Sequence, residues 1–142
     1  MLKTIIVDDE LLALTYLENL LSRNDNINII GLFRDSKEGL TAIERYNPDL
    51  IFLDIHMPEI SGIEIARHVA GRIDGKIIFT TGHEKYALKA FEIGVFDYIL
   101  KPIEQERINS LINRIVEDCT RVQKHMICTF KYFHINEENS EV

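Results

Sequence analysis

Three acids, two hydroxyls and one lysine occupy places in this sequence from which they could move a phosphoryl group. Asp54 closes the apolar run Leu50-Ile51-Phe52-Leu53 and is followed by Ile55-His56-Met57-Pro58. Asp8-Asp9 closes Lys3 to Val7 (KTIIV), Thr80-Thr81 closes KIIFTT, and Lys101-Pro102 follows Phe96 to Leu100. An acid at the exit of a buried strand reaches the carboxyl edge of a sheet, where open α/β sheets place their sites. Carboxylates crowded there repel, raising their apparent pKa values as a coupled set unless a cation joins them. Mg²⁺ suits this task because it takes oxygen ligands and keeps several waters. A carboxylate such as Asp54 can then attack phosphorus and form an acyl phosphate. Metal, the Lys101 ammonium and the Thr81 hydroxyl would offset the charge on the phosphoryl oxygens. Each residue alone has a plainer explanation: Asp54 starts a turn before Met57-Pro58, Asp8 and Asp9 are helix N-terminal acids, and Lys101 is a solvated lysine. Their recurrence at the ends of successive apolar runs favours chemistry.

The elements that must position these residues follow from periodicity. Ile51, Phe52 and Leu53, with nothing polar between them, predict a strand covered on both faces, as at the centre of a parallel sheet. Leu14, Leu17 and Leu21 give Glu10 to Ser22 the period of a helix with one buried face, and Leu11, Leu12, Tyr16 and Leu20 widen the stripe. Such a helix is either deeply buried or in part turned to a partner. Ile27 to Phe33 predicts a second strand. A helix then runs to about Tyr46, capped by Asp35 or Ser36 with Glu38 in capping-box spacing, and Asn47-Pro48 stops it. Ser61-Gly62-Ile63-Glu64 opens another helix through about Val69, ended by Gly71. Lys85 to Ile93 reads as a short helix closed by Gly94. From Ile103 the apolar positions Ile108, Leu111, Ile112, Ile115, Cys119 and Val122 describe a final amphipathic helix. Five strand-helix units with short connections predict an α/β fold, a parallel sheet with helices on both faces.

The chain of 142 residues is long enough for one domain with a proper core. Its net charge of -7 argues against this piece gripping nucleic acid, which needs a basic face. Cys119 and Cys128 have no metal-ligand spacing and suggest no disulfide framework, which fits a reducing cytosol. The sequence shows no signal peptide and no apolar run long enough to span a membrane, so a cytoplasmic location is expected. The expected organisation is a domain over residues 1–123. Residues 124–142 form a linker or tail, with a strand at Ile127 to Ile135 or a cut before an output domain as open alternatives.

In order and at these spacings, Asp8-Asp9, Asp54 with Met57-Pro58 and Gly62, Thr81-Gly82 and Lys101-Pro102 resemble a response-regulator receiver domain over roughly residues 2–122. The resemblance implies a flavodoxin-like, doubly wound sheet of order 2-1-3-4-5 with five helices in three α/β/α layers. It implies Asp54 as the phosphoacceptor for a histidine kinase. Mg²⁺ would be held by Asp54, by Asp9 directly, by Asp8 through water and by the backbone carbonyl of His56. Thr81 would be the switch hydroxyl, Lys101 the phosphoryl partner with a cis bond to Pro102, and Tyr98 the aromatic switch. Such a protein catalyses only its own phosphorylation and dephosphorylation and is not otherwise an enzyme.

Tyr86 to Glu92, followed by Asp97 to Pro102, resembles the branch usually fused to a LytTR-type DNA-binding domain, implying a part in transcription regulation. His56 and His83 stand two after Asp54 and two after Thr81, positions that in the family influence how fast water removes the phosphoryl group. Their protonation, with a reference value near 6.5, would tune the lifetime. The apolar surplus of Lys85 to Ile93 suggests a partner face with strand five and the last helix, which in the family dimerises or docks an output domain. Two rivals remain. A haloacid-dehalogenase-type phosphatase needs a second acid two residues after the nucleophile, where this chain has His56. A phosphorylation-independent interaction module would be expected to lose an acid or the lysine, and none is missing.

Overall fold

The computed structural model describes residues 1–120. The strand expected at Ile127 to Ile135, the polar stretch after it and the boundary at 123–124 lie outside the described residues. The chain divides into two units, Met1–Gln105 and Glu106–Val142.

The first unit holds five strands, β1 (Leu2–Val7), β2 (Ile27–Phe33), β3 (Leu50–Asp54), β4 (Lys76–Thr81) and β5 (Asp97–Leu100). All pair in parallel in the order β2-β1-β3-β4-β5, the order the resemblance implied. Every residue of β3 is buried, as its unbroken apolar run requires of a central strand. One face of the sheet is built from Ile5, Val7, Ile51, Leu53, Ile77 and Phe79. It packs with residues of α2 (Ser36–Tyr46), α3 (Gly62–Val69) and α4 (Ala87–Ile93). The alternate side chains Ile6, Phe52 and Ile78 are equally dry. The remaining helix of this unit, α1 (Leu11–Ser22), lies against β1 and β2.

The ends of these elements have local causes. Asp35 is the N-cap of α2, its carboxylate accepting from the backbone N–H of Lys37 and Glu38. Asn47 closes that helix in the left-handed region, with φ 41°. Ser61 caps α3 by accepting from Glu64 N at 3.1 Å. On α1, Leu14, Leu17, Leu20 and Leu21 are buried, while Leu11, Leu12 and Tyr16 stay at least half exposed. Among the described residues the wide stripe is therefore not fully covered.

Several boundaries differ by one or two residues from the sequence reading, β1 starting at Leu2 rather than Lys3 and α1 at Leu11 rather than Glu10 among them. The helix expected from Lys85 begins as a 3-10 turn, Glu84–Tyr86, and becomes α-helical at Ala87. His83 before it is extended, and the tighter turn brings the chain from strand to helix in fewer residues. The last strand starts at Asp97 rather than Phe96, although Phe96 N still donates to Ile77 O at 2.9 Å. α5 (105–120) is helical to the end of the described residues; Ile108, Leu111, Ile112 and Ile115 are buried as their spacing predicts, Cys119 is partly buried, and Val122 lies outside the described residues.

Candidate functional site

Parallel register brings the strand exits together. Val7 stands opposite Leu53 and Asp54 opposite Thr80, so Asp8 and Asp54 leave neighbouring strands at one level. Both are buried, at 3% and 5% exposure, while Asp9 is half-buried. Carboxylate oxygens of Asp8, Asp9 and Asp54 lie within 4.8 Å of one another. β5 reaches this edge through the pairing of Leu100 with Thr81 and the bond from Lys101 N to Thr81 O, 2.7 Å. Next comes the cis peptide bond between Lys101 and Pro102. Lys101 Nζ donates to Asp8 Oδ2 at 2.9 Å and meets Asp54 Oδ1 at 3.4 Å. The other oxygen of Asp8 accepts from Glu10 N at 3.0 Å.

One ammonium beside three acids leaves the charge unbalanced. Burial pushes the Asp54 carboxyl up to about 7. Asp8, and to a smaller degree Asp9, push the same way, and Lys101 only partly opposes them. Burial alone would lower the Lys101 ammonium, but its hydrogen bond to Asp8 and the charges of Asp54 and Asp8 outweigh it and the net direction is up. A hard divalent cation would relieve this crowding, and an all-oxygen donor set is the set Mg²⁺ selects.

The loop after β3 is tied at several points. Ile55 N donates to Thr80 O at 3.1 Å, and Gly62 N donates to Ile55 O at 2.9 Å. A Cβ at Gly62 would collide with the backbone carbonyl oxygen of Asp54, so the first residue of α3 must be glycine for the loop to close behind the acid. Ser36, buried at the start of α2, donates from Oγ to Pro58 O at 2.9 Å and accepts from Ile60 N at 3.3 Å.

Thr80 and Thr81 are both buried. The hydroxyl oxygen of Thr81 accepts from His83 N at 3.2 Å, and the Tyr98 hydroxyl donates to His83 O at 2.6 Å. One residue thus joins the two switch candidates through its backbone. Burial, helped by Glu84, raises the Tyr98 phenol above its ordinary value. The His56 and His83 rings lie edge to face with centroids 5.4 Å apart, and the His56 ring meets Tyr86 at 4.9 Å. The structure therefore brings together Asp8, Asp9, Asp54 and Lys101 as one cluster and Thr81, His83, Tyr98 and His56 as a second group. Sequence reasoning missed Tyr86, Ser36 and the Glu10 amide. Tyr86 registered there only as apolar surface, and the other two act through contacts that a local pattern does not encode.

The strand exits that gather these acids fall within residues 4–113, the span matched by the family model for the response regulator receiver domain. The chain belongs to that family, whose members act in phosphorelay signalling with histidine kinases. Over 118 residues it is 42% identical to the transcriptional regulatory protein BtsR of Salmonella typhi, covering 83% of this chain and 49% of that protein. It is also 38% identical over 135 residues to an uncharacterised response regulatory protein of Shewanella oneidensis, covering 95% of this chain and 57% of that protein. The chain spans about half the length of the curated relatives it matches. Among solved structures, the response regulatory domain of protein mrkE from Klebsiella pneumoniae superposes with a TM-score of 0.78 at 33% identity. That match covers 84% of this chain and 98% of the other. Among the described residues no helix is long and apolar enough to cross a membrane.

Proposed function

We propose that in the cytoplasm Asp54 accepts a phosphoryl group from a sensor histidine kinase and that the chain passes this event to a partner face. The juxtaposition of Asp8, Asp9 and Asp54 within 4.8 Å, with Lys101 between Asp8 and Asp54, carries the reading. Asp8, Asp9, Asp54 and the backbone carbonyl of His56 would hold Mg²⁺, which supplies charge neutralisation for the phosphoryl oxygens when bound. An Asp54 oxygen forms the new bond to phosphorus as the donor's bond to phosphorus breaks. Lys101 is placed to shift from the carboxylates to a phosphoryl oxygen. The Thr81 hydroxyl, which accepts from His83 N, keeps its own proton to donate to the same group. Turning Thr81 in this way weakens its hold on His83, whose carbonyl accepts from Tyr98, so the two switch residues move as a pair.

The face that responds is α4 with β5, where Leu88 and Phe91 are 68% and 83% exposed. We assign homodimerisation or output docking to it. His56 and His83 tune the life of the acyl phosphate. Residues 1–123 act as the receiver of a transcriptional regulator of the LytTR-type branch, and this chain does not itself bind nucleic acid. The names of its relatives support the part in transcription regulation, and the LytTR-type branch rests on the likeness carried by Tyr86 to Glu92 and Asp97 to Pro102.

The test is intact mass after incubation with acetyl phosphate and Mg²⁺, beside Asp54→Asn and a metal-chelated control. A single phosphoryl adduct, dependent on metal and absent in the variant, is the expected result. No adduct under conditions that label a known receiver would favour a phosphorylation-independent module, and sustained release of phosphate at enzyme-like rates a phosphatase.

A further inference from the structure

We propose that Tyr86 is a positioning residue for the acyl phosphate: its core-anchored ring holds His56 and His83 together and thereby slows hydrolysis at Asp54. The proposal rests on the phosphoacceptor reading of Asp54 and names a residue that this reading does not use.

His56 and His83 are both exposed, and nothing in the covalent chain fixes their rings. Tyr86 is different. It is partly buried and packs against the hydrophobic core from the 3-10 turn that opens α4. Its ring centroid lies 4.9 Å from that of His56 and 6.3 Å from that of His83, both with the rings steeply inclined. The two histidine rings complete the triangle at 5.4 Å. Edge-to-face contacts of this kind are favourable beyond the area they bury. The backbone of His83 is fixed as well, by Thr81 at its N–H and Tyr98 at its carbonyl. Three rings therefore bridge the loops leaving β3 and β4, the strands that carry Asp54 and Thr81.

Hydrolysis needs a water oxygen to attack phosphorus. The bond between phosphorus and the Asp54 oxygen breaks, giving back the free carboxylate and releasing dihydrogen phosphate, which takes both water protons. Side chains that keep water from this approach lengthen the life of the intermediate. Without Tyr86 the two histidines regain rotamer freedom, and the bridge they form opens for part of the time.

The experiment follows first-order loss of the adduct by intact mass, with Mg²⁺ retained and acetyl phosphate removed. The chains compared are wild type, Tyr86→Phe, Tyr86→Leu, Tyr86→Ala and the double variant His56→Ala/His83→Ala with and without Tyr86→Leu. Tyr86→Leu keeps an apolar anchor but no ring, and it should shorten the half-life about five-fold while the midpoint of thermal unfolding holds. Tyr86→Ala should shorten it at least as much. Tyr86→Phe keeps the ring and should stay within about two-fold of wild type. Once both histidines are gone, Tyr86→Leu should add nothing. A half-life unchanged in Tyr86→Leu, or shortened equally without the histidines, overturns the proposal and leaves Asp54 as phosphoacceptor. No adduct in wild type overturns that reading and this one with it.

Discussion

At the amino end of the sheet Asp49 and Asp74 are exposed and accept from neutral donors, whereas at the carboxyl end Asp8 and Asp54 are buried against each other and share one ammonium. Asp49 Oδ2 takes the N–H of Lys3 at 2.8 Å, and Asp74 Oδ2 takes the side-chain amide of Asn47 at 3.1 Å. Asn47 Oδ1 in turn accepts from Asp74 N at 3.2 Å. These acids close loops, and water solvates their charge. At the other end Lys101 stands 2.9 Å from Asp8 and 3.4 Å from Asp54, and burial with mutual repulsion pushes Asp54 up to about 7. One residue type thus serves as a loop fastener where it is wet and as stored electrostatic tension where it is dry.

Each end also has a glycine that a side chain would force apart. A Cβ at Gly62 would strike the Asp54 carbonyl oxygen, and one at Gly75 would strike that of Pro48. Because the neighbour is backbone in both cases, Gly62→Ala and Gly75→Ala should each lose about 3 kcal/mol, the upper end of ordinary overpacking costs. Chemical denaturation measures this. Function should separate the two. In the folded fraction, Gly62→Ala should accept phosphate from acetyl phosphate more slowly than wild type, because the loop beside Asp54 must shift, and Gly75→Ala should match wild type. Equal labelling rates would show that the loop tolerates displacement and that the two ends differ less than the acids suggest.

The sequence shows which residues stand at strand exits, because an apolar run of strand length followed by an acid is a local pattern. It also carries the cap at Ser61, narrows the other to Asp35 or Ser36, and shows the buried stripe Leu14, Leu17 and Leu21. What it lacks is distance. The 3.4 Å from Lys101 to Asp54 spans 46 intervening positions and depends on two strand registers. The Gly62 collision depends on the path of the loop back to Asp54 and the ring contact of Tyr86 with His56 is long-range, and a glycine or a tyrosine in a short helix looks ordinary until its neighbour is in place. Strand order came from family resemblance, since alternation of strands and helices alone fits several doubly wound sheets.

Removing charge from each end sharpens the contrast in stability. Asp54 has a folded value of about 7 against an ordinary 3.8, so its ionisation destabilises the metal-free fold. That cost is absent below about pH 4, grows as pH rises, and is complete above about pH 7. Asp54→Asn should therefore stabilise the metal-free protein by roughly 2 kcal/mol at pH 8. This discounts the full shift for the lost contact with Lys101, and the gain should vanish near pH 4. Asp74→Asn at the wet end should stay within about 0.5 kcal/mol across the range. Urea midpoints at several pH values decide it. A pH-independent gain in Asp54→Asn would mean that its carboxylate carries no such tension.

Mg²⁺ should narrow that gap, by a smaller amount than the gap itself. A cation bound only to the folded state at ten times its dissociation constant adds about 1.4 kcal/mol. It should raise the unfolding midpoint of the wild-type chain, where it meets the crowded oxygens of Asp8, Asp9 and Asp54. In Asp54→Asn one anionic oxygen donor is replaced by an amide and the repulsion that favours the cation is already relieved, so the same concentration should shift the midpoint much less. The two stability curves then approach each other as Mg²⁺ is added at pH 8 and stay apart in chelator. At pH 5 Asp54 holds its proton in the metal-free fold, and the wild-type response should weaken as the cation competes with that proton. Parallel curves at both pH values would place cation binding away from the carboxyl end, on exposed acids such as Asp49 and Asp74, and the distinction between the two ends would fail as an account of what the buried acids are for.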